Sequence, residues 1–203
     1  MLTRPRIRTL PRCGRRSGRR LCAMYEATLP VPPTFDELSS WAGPQRVVRA
    51  TAAGLASWRL PAEQVDALVS SGVPVLDSIV EDVVLRREAR WYRLAQTSPT
   101  TSDWFFTAEP DSGRVFQRYD GNDGARLVNS SINHWLCSLH WLGSLLATSH
   151  AIAHWDESGE LEEAAQGEME QLRDRIGRLD PPAVAGGRHD RLFWPAVLDR
   201  WLY

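Results

Sequence analysis

Apolar residues recur along this chain in two periods. Over residues 132–146 they fall three and four apart, at Ile132, Trp135, Leu136, Leu139, Leu142, Leu145 and Leu146, which predicts a helix with one broad buried face. Asn129-Ser130-Ser131 stands just ahead, and such side chains cap the orphan N–H groups of a helix start. The helix is therefore expected to open near Ser130 and run to about Thr148. Upstream the period shortens. Residues 103–107 are aromatic and β-prone, residues 115–119 resume as a second strand, and Pro110-Asp111-Ser112-Gly113 supplies turn residues, with Gly113 free to take a positive φ. This predicts a β-hairpin. Residues 79–85 and 89–95 read as its neighbouring strands, and Leu127-Val128 follows a polar loop over 120–124.

Helices flank these strands. Thr34-Phe35-Asp36-Glu37 is a capping box ahead of Leu38 and Trp41, stopped by Gly43-Pro44. Leu60-Pro61 opens a second helix, with Pro61 at its first helical position, and Gly72-Val73-Pro74 closes it. Residues 161–179 hold Met169, Leu172, Ile176 and Leu179 in register, Asp180-Pro181-Pro182 breaks that helix, and 194–201 form a closing segment. Strands first and helices after predict an α+β fold: an antiparallel meander of about four to six strands with helices packed against it.

Composition fits one core. With 203 residues, 43% hydrophobic and nine Trp, the chain is expected to form a single domain over residues 24–203. No apolar run approaches the roughly 18 residues of a bilayer span, so no membrane partner is expected. Cys13, Cys22 and Cys137 are odd in number and lack metal-ligand spacing, which points to the reducing cytoplasm without a disulfide framework.

Charge divides the chain. All 24 basic side chains are arginine; eight lie in residues 1–24 without an acid, which leaves sixteen against 25 acids, a net of −9, for residues 25–203. The tail has three readings: a nucleic-acid arm, a targeting peptide, or upstream sequence read ahead of a true start at Met24. A secretory signal needs an apolar stretch of about 7–15 residues, which the arginine-rich segment lacks. Residues 1–23 are thus expected to be a disordered basic extension or a mis-set start.

Candidate chemistry is sparse. His150 and His154 stand at i and i+4, a zinc-binding spacing, but Ala151 occupies the position where a metalloprotease carries its glutamate base, and Glu157, Glu160 or Glu162 would have to supply a third ligand. The plainer reading is two polar residues at a helix end. His134 and His140, six apart, face different directions on a helix. The acids of 157–170 have the spacing of a solvated helix face. Ser130-Ser131 lacks the flanking glycines of a nucleophile elbow, and Gly121-Asn122-Asp123-Gly124 lacks a phosphate-loop pattern. Trp58, Trp91 and Trp104, read as strand residues, would form a base-stacking platform, yet a segment at −9 repels phosphate. No catalytic residue, metal or cofactor is expected, and no nucleic-acid partner for the folded part.

The order of these motifs is itself informative. Leu60-Pro61 with Gly72-Val73-Pro74, the strand cluster, Asp111-Ser112-Gly113-Arg114-Val115, Val128-Asn129-Ser130-Ser131-Ile132, Leu179-Asp180-Pro181 and Phe193-Trp194-Pro195-Ala196-Val197-Leu198 together resemble the SUKH superfamily, specifically its fourth immunity-protein group, over roughly residues 30–202. The resemblance implies an α+β fold without catalytic residues, whose bacterial members bind and neutralise toxins of polymorphic toxin systems, many of them nucleases or nucleic-acid deaminases. The superfamily also includes a yeast cell-wall regulator and viral proteins, so the fold alone does not fix the partner. The expected function is that of an immunity protein for a cognate toxin, basic in charge to complement an acidic domain. Gly113, Asn129, Ser130, Ser131, Asp180 and Trp194 carry the resemblance and are expected to be caps and core rather than toxin contacts. Two rivals stand beside this: a small metal-dependent hydrolase or deaminase using His150 and His154, and an interaction scaffold unrelated to toxins.

Overall fold

The computed structural model describes residues 29–97, 104–119, 122–185 and 192–201. The expectation for the tail, residues 1–23, lies outside them. In chain order the elements are α1 (Phe35–Ala42), a 3-10 turn (Pro44–Arg46), β1 (Val47–Val48), α2 (Ala52–Leu55), α3 (Ala62–Ser70) and β2 (Val73–Pro74). The strands β3 (Asp82–Arg87), β4 (Tyr92–Gln96), β5 (Trp104–Ala108), β6 (Val115–Tyr119) and β7 (Asn122–Asn129) follow, and then α4 (Ile132–Thr148), α5 (His150–Ala153), α6 (Gly159–Leu179), α7 (Pro181–Val184) and α8 (Phe193–Leu198). β3 to β7 pair antiparallel in sequence order, while β1 and β2 make a separate two-stranded sheet. The fold is α+β, with the predicted meander at its centre.

Local chemistry accounts for the element boundaries. Thr34 and Glu37 form the reciprocal capping box, with the Glu37 amide donating to Thr34 Oγ1 at 3.2 Å and the Thr34 amide to the Glu37 carboxylate at 2.7 Å. Gly43 ends α1 at φ +89. The β5–β6 hairpin closes in register, Ala108 opposite Val115, around Asp111 and Gly113, both at positive φ. Ser131 caps α4 by accepting from the His134 amide at 3.2 Å.

Several boundaries differ from expectation. Pro61 is the N-cap of α3 rather than its first residue. Ile79 and Val80 belong to a turn bridged to Leu76, because both side chains are drawn into the core, so β3 starts at Asp82. Glu88 and Trp91 close the next turn, and β4 starts at Tyr92. The expected polar loop over 120–124 is shorter, since β7 already starts at Asn122, opposite Tyr119 of β6, with Asp123 and Gly124 in a register shift before Ala125 pairs with Arg118.

The core lies between one face of the sheet and the helices. The Phe106 ring sits 5.5 Å from Trp135 of α4 and meets Phe193 of α8 edge-on at 5.3 Å. α4 carries more than one buried face: every residue from Ile132 to Leu139 is buried. The extra burial comes from the segment ahead of α1, where the Pro30 carbonyl accepts from Asn133 Nδ2 at 3.1 Å and the Val31 carbonyl accepts from the Cys137 thiol. α1 closes over the same helix, and Trp41 Nε1 donates to His140 Nδ1 at 3.1 Å.

Candidate functional site

Four of the motif residues meet in one buried network. Asn129 ends β7, Asp180 caps the C-terminus of α6, Trp194 lies in α8, and all three are at most 1% exposed. Trp194 Nε1 donates to Asn129 Oδ1 at 3.0 Å, and Asn129 Nδ2 donates to Asp180 Oδ2 at 3.0 Å. The Ser130 amide reaches the same Asp180 oxygen at 2.7 Å, while the Ser130 hydroxyl donates to Oδ1 at 2.6 Å. Both carboxylate oxygens are thus turned inward. An aspartate held this way ties β7, α6 and α8 together and faces no substrate.

Ser131 extends the network. Its hydroxyl lies 2.7 Å from His134 Nδ1, and the same ring interacts with the Leu179 carbonyl. Burial holds His134 below the ordinary histidine value, against the opposing pull of Asp180 and Leu179, so the ring is neutral near pH 7. His140 is likewise lowered by burial. The two histidines have separate partners, as their spacing predicts. Burial pushes the Cys137 thiol up to about 11, which removes it as a nucleophile at neutral pH.

The last motif residue, Gly113, serves a second node. Gln64, 1% exposed on α3, donates from Nε2 to the Ser112 carbonyl at 3.0 Å and accepts from the Ile132 amide at 2.9 Å. It joins the hairpin turn to the first turn of α4. A Cβ on Gly113 would overlap the Gln64 amide, and the glycine stands at φ +67. Sequence reasoning missed Gln64, although a signal exists: it lies three and four residues before buried Ala67 and Leu68, a polar residue in an apolar stripe.

The remaining candidates separate. His150 and His154 do lie together, ring centroids 4.5 Å apart, with His154 Nδ1 2.7 Å from Glu157. Among the described residues, no group of three His, Cys, Asp or Glu is placed to hold a metal ion. Trp58 is not on a strand; it stacks on Tyr92 at 4.4 Å and is buried, because the loop after α2 folds onto the sheet. Trp91 precedes β4, under the Arg118 guanidinium at 4.2 Å, and donates from Nε1 to Glu88. Trp104, on β5, pairs with Tyr119. A buried Trp58 presents no face on which a base could stack.

A family model described as SUKH-4 immunity protein matches residues 33–200. The chain belongs to the SUKH-4 immunity protein family. No curated protein and no solved structure matches it. In this SUKH-4 chain the match begins just ahead of the α1 cap and ends just past α8, so both hydrogen-bonded nodes fall inside it. Among the described residues, no helix is long and apolar enough to cross a membrane.

Proposed function

We propose that this chain neutralises a cognate protein toxin by binding it, without chemistry of its own. The observation that carries the reading is the family membership together with what the motif residues do: Asn129, Ser130, Asp180 and Trp194 spend their polar atoms on one another. They build a scaffold, and the outer surface is left for recognition. The toxin we propose belongs to a polymorphic toxin system, acts in the cytoplasm as a nuclease or nucleic-acid deaminase, and is basic. Charge supports the last point. Residues 127–172 carry seven carboxylates and no arginine, and most of these acids are exposed on and just ahead of α6. Such a field draws in a cationic partner.

Expression of the toxin encoded beside this gene should arrest growth, and co-expression of this chain should restore it through a stable complex seen on size exclusion. A His150→Ala/His154→Ala variant should protect equally well. Failure to form a complex would remove the binding reading, and one zinc per purified chain, lost along with protection in that variant, would favour the hydrolase alternative.

A further inference from the structure

Gly143 makes room for Trp41. A Cβ on this buried glycine would overlap the indole, so the ring of α1 lies directly against the backbone of α4. One turn earlier on α4, His140 receives the ring's polar atom: Trp41 Nε1 donates to His140 Nδ1 at 3.1 Å. That bond fixes the state of the imidazole. Nδ1 accepts only through a bare lone pair, so the single proton of the neutral ring stands on Nε2. A second proton would put an N–H on Nδ1, facing the indole N–H, and two donors in line repel.

The groups around His140 favour the neutral ring. Burial holds it below the ordinary histidine value, with Glu37 of α1 pulling upward and Arg175 of α6 pushing down. The Glu37 carboxylate is held at its own helix start by the Thr34 amide and hydroxyl, and the Arg175 guanidinium lies 4.0 Å over the Trp141 ring. Cys137, three residues back on α4, is kept a thiol by burial.

What depends on this bond is the seat of α1. Eight residues are too few to hold a helix without packing, and Leu38 is the one side chain of α1 that is buried. Besides Leu38, the helix is held by the Arg49 guanidinium 4.5 Å over Phe35 and by Trp41. Of these contacts, the one to His140 is the one a proton can switch. We propose that the Trp41–His140 pair is a proton-operated catch, which holds α1 on α4 while His140 is neutral and releases it on protonation, with the sheet and α4 still folded. Release would lift Leu38 out of the core. The catch works in the free chain and does not rest on the binding function above.

NMR of the full chain between pH 7.5 and 5 tests this. At pH 7.5 the His140 ring nitrogens should show the proton on Nε2. As His140 titrates, with a midpoint below 6.5, amide protection over Leu38 to Gly43, corrected for intrinsic exchange, should fall about tenfold or more beyond any fall in β5 and β6. His140→Asn, whose amide oxygen can stand where Nδ1 does and does not titrate, should keep α1 protected in acid. Trp41→Phe keeps a ring over Gly143 without the N–H, and should loosen α1 at pH 7.5 and remove the acid dependence. A proton on Nδ1 at pH 7.5, or α1 protection that falls only in step with β5 and β6, overturns the catch. Both are read in the unaltered chain, so a variant that fails to fold does not shield the proposal. Acid release of α1 that persists in His140→Asn would also overturn it.

Discussion

Gly113 and Gln64 occupy one shared space: the Gln64 carboxamide lies where a Cβ on Gly113 would stand. The glycine's left-handed φ and its missing side chain are therefore both in use. Gly113→Ala should destabilise by about 3 kcal/mol or more, since it adds backbone strain and displaces an amide that makes two hydrogen bonds. Gln64→Ala in the same chain removes the overlap, so the double variant should lose less than the sum of the singles. Urea unfolding reads both, and strict additivity would contradict the shared space.

Asp180 accepts from Asn129 and twice from Ser130, and Asn129 in turn accepts from Trp194. Asp180→Ala leaves these donors buried without an acceptor and should cost about 3 kcal/mol or more. Asp180→Asn keeps one acceptor and should cost less. A loss below about 1 kcal/mol in urea unfolding of Asp180→Ala would show that water or relaxation replaces the carboxylate.

The elements that sequence patterning predicts best are those whose signals are local. The hairpin announces itself in Pro110 to Gly113, α1 in Thr34 and Glu37, and α4 in Ser131. What patterning misses depends on distant partners. Val47-Val48 becomes a strand only through pairing with Val73-Pro74, and polar Asn122 joins β7 because Tyr119 of β6 supplies its partner. The site divides in the same way. Asn129, Asp180 and Trp194 are visible as motif residues, but Asp180 reads as a helix breaker until Ser130 arrives fifty residues away in sequence. Gln64 shows in the sequence only as a polar residue in the apolar stripe of α3, and what it bonds appears when Ile132 and Ser112 close around it.

Stability should fall as the medium is acidified from neutral. His134 and His140 are held by burial below the ordinary value of 6.5, with Asp180 and the Leu179 carbonyl opposing this at His134, and Glu37 opposing and Arg175 assisting at His140. In the unfolded chain both rings take up protons near pH 6.5 while the folded rings stay neutral. The unfolded state then binds more protons, and folding weakens as pH drops. The contribution is complete above 6.5 and is lost as pH falls through the folded values. The urea midpoint should thus be lower at pH 5.5 than at 7.5, and His134→Gln/His140→Gln should flatten that difference. Glu37, held down by the Thr34 amide, titrates below 4.5 and lies outside this window.

Association with a basic toxin should slow as salt rises, because the Debye length shrinks from about 10 Å at 0.1 M to about 3 Å at 1 M. Dissociation should change less, since packing at short range is poorly screened. Reversing the exposed Glu160, Glu163 and Glu170 to Arg should lower the low-salt association rate without shifting Tm. Stopped-flow association that is indifferent to salt would remove the basic toxin.

The hydrogen bond from Trp194 to Asn129 spans 65 residues of chain. At about 5–20 residues per second of synthesis, Asn129 waits roughly 3–13 s for the indole that completes its contacts. Until then Asn129 has Ser138 and Asp180 for its Nδ2 group but no indole donor for its Oδ1 oxygen, so the node stays incomplete. On the proposed function, protection has a birth delay: a nascent chain would bind no toxin until α8 has been made, and a premature stop just before Trp194 should be as harmful as losing the gene.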